Sequence, residues 1–443
     1  MRRGRWWVTI AGVAALSALN LTAGCSSASD KSPTLTTSTT VPAPAPNVTD
    51  GALEGIRGTR PADTISDDFL RRVQAEAPEA LDRIDDVVAA YDATIITALA
   101  TVKSATDAPA RIASNVLDVT TGRNRCPGFQ RCRMLIDAGD EVAYVGPAGD
   151  RQLTEQGVPR AARIETVAFD DLDALRQIRA TRVTMSADDN SATPSSAVFR
   201  PPDGTLTIGT LLPVIGPRAA QGRAQLAGVK LAVDDIDNGF GVLGRRVKVT
   251  DDNARGGSPQ DVAGAVQRMA ADGVDVVIGS TDSTMTAAAM PWIRGAGLML
   301  FSASDGGTAE LPGETPPEQR WLYFTAHPLA RLQAEAIART TATDGAPAVV
   351  VVRDEGGEGA ELARSLAAYV GFAEGRRFGD AVADGPNAAV QLAVLGAPDA
   401  LVVVGTDSFV VAVIKAVKAD PGLAKVKIYV ADVSVGLANA WST

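Results

Sequence analysis

From Leu206 to Gly279 the chain reads LTIGTLLPVIGPRAAQGRAQLAGVKLAVDDIDNGFGVLGRRVKVTDDNARGGSPQDVAGAVQRMAADGVDVVIG. LTIGTL (206–211), RVKVT (246–250) and VDVVIG (274–279) are short apolar runs with strand character. Between the first two, after a turn at Pro213, Gly216 and Pro217, the residues Leu226, Val229, Val233 and Ile236 recur at helical spacing on one face. A second helix is predicted over 258–271. Working outward, a helix starts near Ser283, and the apolar run LMLF follows at 298–301. The alternation continues with AVVVV (348–352), a helix from about Glu358, ALVVVG (400–405), a helix from about Ser408 and VKIYVA (426–431). Strands alternating with helices in this way predict an α/β fold of parallel sheets flanked by helices, with ligands at the carboxyl ends of the strands.

The first residues carry different information. Arg2, Arg3 and Arg5 form a positive start, Trp6 to Leu21 an uncharged and mostly apolar run, and Thr22-Ala23-Gly24-Cys25 follows. This pattern resembles a bacterial lipobox, with Thr22 standing where Leu is usual. The resemblance implies a signal peptide over 1–24, lipidation of Cys25, and a protein held on the extracytoplasmic face of the membrane by that lipid. Residues 25–46, rich in Ser, Thr, Pro and Ala, are too poor in large apolar side chains to pack a core and read as a disordered tether.

The formal charge is −10, and −13 once Arg2, Arg3 and Arg5 are removed, with no basic cluster left in the remainder, so nucleic acid is not an expected partner. Beyond Cys25 the cysteines are Cys126 and Cys132, enclosing PGFQR; with a single histidine, His327, no Cys/His metal set can be assembled. In an oxidising compartment the pair reads as a local disulfide. No GxSxG turn, phosphate loop or His-based triad is present, so the expectation is a non-enzyme without cofactor or metal.

TIGTLLPVIGP (207–217), the segment from Gly228 to Ser280 and GLMLFSASDGGTAEL (297–311) resemble the first lobe of the type I periplasmic solute-binding proteins of the Leu/Ile/Val-binding family. VVVVRDEGGEGAELARSL (349–366), ALVVVGTDSFVVAVIKAVK (400–418) and KIYVADVSVGLANAW (427–441) resemble its second lobe. The later parts of that family's chain have counterparts upstream: GALEGIRGTRP (51–61), SDDFLRRVQAEAP (66–78), VAAYDATIITALATV (88–102), CPGFQRC (126–132), YVGPAGDRQLTEQGVP (144–159) and RIETVAFDD (163–171). The order implies a two-lobed, circularly permuted fold. In it, residues 47–185 complete both lobes, 186–204 form a polar, Pro/Ser-rich linker, 205–326 form the core of lobe one and 327–443 that of lobe two. The other reading of this order is a separate N-terminal helical domain before a truncated binding fold.

The resemblance also implies a small-molecule ligand between the lobes and an ABC permease as partner. Ser283 matches the serine that holds a ligand carboxylate, and with Thr284 it opens a helix whose N-terminus suits an anion; capping of that helix is the competing reading of Ser283. Ser302, Ser304 and Asp305 match a loop that holds the ligand ammonium, although the family's Thr falls on Gly306. Gln221, Glu358, Thr406 and Asp432 fall at further ligand positions, some of which are aromatic in binders of aliphatic amino acids. Polar groups there call for pairing or hydration, so a polar or cationic small molecule is expected rather than a branched aliphatic one. A sensory or regulatory binder with an altered pocket is the alternative function.

Overall fold

The computed structural model describes residues 51–62, 64–184, 200–251, 254–306, 322–354, 357–371, 375–434 and 436–441. The signal segment, the tether, Cys25, most of the linker and the side chain of Glu358 lie outside the described residues. The upstream part runs β1 (Arg57–Pro61), α1 (Asp67–Glu76), a 3₁₀ turn (Pro78–Arg83), α2 (Ile84–Ser104), α3 (Pro109–Thr120), β2 (Asn124–Pro127), α4 (Gly128–Asp137), β3 (Val142–Gly146), β4 (Gly149–Asp150), β5 (Ala161–Phe169) and β6 (Leu175–Thr184). Next come β7 (Thr207–Leu211), α5 (Ala219–Asn238), β8 (Lys248–Thr250), α6 (Pro259–Ala271), β9 (Val276–Gly279), α7 (Ser283–Ala296), β10 (Met299–Ser302) and β11 (Tyr323–Thr325). The chain then continues through α8 (Ala330–Thr343), β12 (Ala348–Arg353), α9 (Gly357–Gly371), β13 (Arg377–Val382), α10 (Pro386–Gly396), β14 (Ala400–Val404), α11 (Asp407–Ala419), β15 (Lys427–Val430) and α12 (Gly436–Trp441).

Every apolar run expected to be a strand is one, to within two residues at its ends. The alternation read from the sequence omits β11, α8, β13 and α10. The five-stranded sheet, in the order β11-β10-β9-β7-β8, is parallel throughout. The second sheet has the order β13-β12-β14-β15-β1-β5-β6; it is parallel through β1, then antiparallel at β5 and β6. Strands buried on both faces need continuous apolar sequence, and Ala348 to Val352 and Ala400 to Val404 supply it.

The upstream residues do not form a separate helical domain. Arg57 and Gly58 of β1 pair in parallel with Tyr429 and Val430 of β15. Asp344 ties the same junction together by accepting from Arg57 and from the Tyr429 hydroxyl. In the other lobe α2 lies along α5. The contact is close because Gly228 faces the α2 backbone, where a Cβ would stand 2.1 Å from the Val87 carbonyl oxygen. Small residues at the crossing explain why Leu226 and Val233, expected on the buried face of α5, are only half-buried, while Val229 and Ile236 are fully so. Asp107, between α2 and α3, accepts the backbone N–H groups of Asp203, Gly204 and Thr205 at 3.0, 2.7 and 2.9 Å, pinning the entry to β7. Residues 46–443 make one compact unit.

The stretch Pro78–Ser104 is long and apolar enough to cross a membrane, but it is the core helix of the first lobe and most of it is buried. Its threonines Thr94, Thr97 and Thr101 return their hydroxyls to carbonyls one turn back at 2.8, 2.8 and 2.9 Å, so burial leaves none of these hydroxyls unpaired. Cys126 of β2 and Cys132 of α4 are joined in a disulfide inside the same core, as expected.

Among the described residues three crossings join the two lobes: from β1 to α1, from β4 to β5 and from β11 to α8. The carboxyl ends of both parallel sheets open onto the space between the lobes.

Candidate functional site

A cavity of about 60 Å³ lies between the lobes, room for a few waters. Lobe one contributes Arg218 and Gln221 from the turn after β7 and the first turn of α5. Lobe two contributes Asp354 after β12, Thr406 and Asp407 after β14, and Asp432 after β15. These are loops at the carboxyl ends of parallel strands, where helix starts and free backbone groups converge. Arg83, at the end of the 3₁₀ turn, and His327, in the crossing from β11 to α8, complete the wall.

The charges are divided between the lobes. Lobe one presents two guanidinium groups. Arg218 pairs with Asp282 at 2.9 Å, and Arg83 stands 3.6 Å from Asp86. Arg83 also reaches across to pair with Asp407 of lobe two. Burial disfavours its charge, but Asp407 and Asp86 outweigh that and keep it protonated. Asp86 is pushed above the usual carboxylate range by burial and by the nearby Asp432, against the opposing effects of Arg83, Gln225 and Gln221. On the lobe-two side Asp354 accepts the Thr406 backbone N–H at 3.1 Å. Asp432 has a φ of 54°, uncommon for a residue with a side chain, and accepts from Gln333 at 3.5 Å. The His327 ring nitrogen Nε2 is 3.9 Å from an Asp432 oxygen.

Of the residues singled out from sequence, Gln221, Thr406 and Asp432 come together on this cavity. Ser302, Ser304 and Asp305 do not line it. Ser302 Oγ donates to the Ser280 carbonyl at 3.0 Å and accepts the Asp305 N–H at 3.0 Å. Ser304 Oγ donates to the Thr281 carbonyl at 3.0 Å and accepts from Gln225 and Gln221 at 2.6 and 3.2 Å. Asp305 is fully buried and accepts from the Tyr323 hydroxyl at 2.8 Å. Thr406 caps α11 by accepting from the Phe409 N–H at 3.4 Å. The cap of α7 is Asp282, whose side chain accepts the Met285 N–H at 2.8 Å, so the capping reading of Ser283 is corrected. Ser283 Oγ is buried with no hydrogen-bond partner among the described residues, and Thr284 beside it is exposed. Trp441 packs against the core of lobe two, with Lys415 Nζ 5.0 Å from its ring centre.

Sequence reasoning passed over Arg83, Arg218, Asp354 and Asp407. Arg218 had a readable signal, being the first charge after the Pro217 turn at the end of β7. Arg83 had none, since only the packing of the 3₁₀ turn against α5 brings it into the cleft.

The sequence model of the family described as periplasmic binding protein matches residues 205–440, more than half of the chain. The chain belongs to the periplasmic binding protein family. The family is one of binding proteins, not of enzymes. This binding protein is 35% identical over 80 residues to the Leu/Ile/Val-binding protein BraC3 of Rhizobium johnstonii, an alignment that takes in 18% of the chain and 21% of that relative. It thus spans about a fifth of that relative's length. Among solved structures it is similar to the branched-chain amino acid transporter substrate-binding protein LivJ of Streptococcus pneumoniae in complex with isoleucine. Identity there is 24%, TM-score 0.42, with 51% of this chain and 64% of that chain covered. It is also similar to the leucine-binding protein LivK of Thermotoga maritima, at 19% identity and TM-score 0.46, over 54% of this chain and 67% of that one.

Proposed function

We infer that this periplasmic binding protein captures a small polar molecule, an amino acid or a related compound, in the cleft between its lobes, and delivers it to an ABC permease. The observation that carries this reading is the division of charge across the cleft. Arginines of lobe one face carboxylates of lobe two, so a zwitterion can direct its carboxylate toward Arg218 and its ammonium toward Asp432 and Asp354. A ligand that bridges both lobes binds the closed form better than the open one and shifts the population toward it. Cys25 is its lipid anchor and the tether holds it off the membrane. Its order is read as a circular permutation, supported by the pairing of β1 with β15 and by a family match that begins at residue 205.

A regulatory role with an altered pocket is the second reading, and one observation favours it: Arg83 stretches across the cleft to Asp407 in the place where a cationic group would sit. The test is a thermal-shift screen of the purified full chain against amino acids, polyamines, small carboxylates, amides and sugars. A rise in melting temperature with amino acids, abolished in Asp432→Asn, supports capture of a zwitterion. A cooperative melt unmoved by the whole panel supports the regulatory reading.

A further inference from the structure

A larger cavity, about 360 Å³, lies on the other side of the crossings. Residues of three crossings wall it: Pro61 at the end of β1, Gln152, Leu153, Pro159 and Arg160 between β4 and β5, and Ala326 to Pro328 between β11 and α8. One face of α2 supplies its floor through Asp85, Ala89 and Ile96. His327 and Pro328 line this cavity and the cleft alike, so a single crossing separates the two. The volume is within the range of sites for small organic ligands, about 300–1,000 Å³.

Its chemistry differs from that of the cleft. Leu153, Ile96, Pro159 and Pro328 give it an apolar body, and four arginines line it: Arg125, Arg151, Arg160 and Arg163. Two of these are neutralised. Arg151 pairs with the fully buried Asp92, which also accepts from the Tyr144 hydroxyl at 2.7 Å, and Arg125 pairs with Asp150 at 2.6 Å. Arg160 and Arg163 have no carboxylate partner among the described residues. Four guanidinium groups against Asp85, Asp150 and the buried Asp92 leave the lining positive, and an apolar chamber so rimmed selects an anion with a hydrocarbon body.

We propose that this hinge-side cavity is a second ligand site, distinct from the cleft, that takes a small organic acid with an apolar body. Arg160 and Arg163 hold the carboxylate, and Ala89 and Ile96 of α2 with Leu153 receive the hydrocarbon. Because its walls are the crossings, its shape depends on the angle between the lobes.

The test is calorimetric titration of the full chain with octanoate and phenylacetate, with inorganic phosphate as charge without body and octanol as body without charge. Octanoate should bind at one site, and Arg160→Gln/Arg163→Gln should weaken it about tenfold or more, as expected for loss of charged hydrogen bonds. Both arginines are exposed, so the double variant should melt as the wild type does. Ala161→Phe, which fills the cavity from β5, should also abolish binding. Asp432→Asn, a change in the cleft, should leave octanoate binding unchanged, which separates this site from the one proposed for zwitterions. Absence of octanoate and phenylacetate binding at millimolar concentration overturns the proposal. So does binding that survives both changes to the cavity, or octanol binding as tightly as octanoate.

Discussion

The five-stranded sheet is built from one continuous stretch, Thr207 to Thr325, whereas the seven-stranded sheet joins strands from residues 57–184 to strands from 348–430. The helices reverse the pattern. The lobe with the contiguous sheet is covered on one face by its own α6 and α7, and on the other by α5 together with α2 from the distant upstream segment, while the lobe with the composite sheet is covered by its neighbours α8, α9 and α11. Each lobe therefore depends on contacts between residues more than a hundred positions apart, in its sheet in one case and in its helical layer in the other. Such contacts have to offset a large loop-closure entropy before they stabilise anything.

The largest test of this contrast is removal of residues 47–185. The remaining chain would expose the β15 edge and the α5 face together, and should show no cooperative thermal transition by calorimetry. A cooperative melt would mean that the contiguous sheet suffices for a stable lobe. A narrower break is Gly228→Val, which forces a side chain into the α2 backbone at Val87. It should cost about 2–3 kcal/mol in urea denaturation, and a near-neutral result would show that α2 can shift along α5 freely. Asp107→Ala removes the acceptor for three backbone N–H groups at the entry to β7. A loss of about 2 kcal/mol is expected from leaving these donors unpaired.

The smallest effect distinguishes the sheets by pH. Asp275, at the start of β9, is pushed up to about 7 by burial, against the Thr207 N–H it accepts at 2.9 Å. Its native form holds a proton that the unfolded chain has released, so its contribution is complete below about pH 4 and is lost as pH rises to about 7. Asp344 of the other lobe behaves oppositely. Burial raises its carboxyl, but the Tyr429 hydroxyl and Arg57 outweigh that and hold it below its ordinary value. Its contribution is present above the ordinary carboxylate range and is lost as pH falls through the native value. In urea melts from pH 3 to 8, Asp275→Asn should flatten the slope on the neutral side and Asp344→Asn the slope on the acid side. If either substitution alters both limbs, the two lobes do not titrate independently.

Much of this was readable in one dimension. Runs such as AVVVV and ALVVV are strands buried on both faces wherever they occur, because period and apolarity are local properties. The disulfide was legible from the spacing of two cysteines. Of the binding groups, Thr406 and Asp432 in strand-end loops and Gln221 in the first turn of α5 lie on the cleft, since loops and helix starts at the carboxyl ends of parallel strands converge there. The neighbouring Ser302, Ser304 and Asp305 lie in a loop of the same kind, yet their polar atoms are bonded inside lobe one. Which way a short polar side chain turns depends on partners, here Gln225 and Tyr323, that are distant in sequence.

The sequence by itself determined the α/β class, the positions of the most apolar strands and the likeness of both halves to one binding fold, because these rest on periodicity and on residue types within a few turns. Only the tertiary structure decided that Arg83 crosses the cleft to Asp407, that Asp282 rather than Ser283 caps α7, and that four arginines meet around an apolar chamber between the crossings. Those features depend on three chain crossings being brought side by side, and no local pattern specifies what stands on the far side of a hinge.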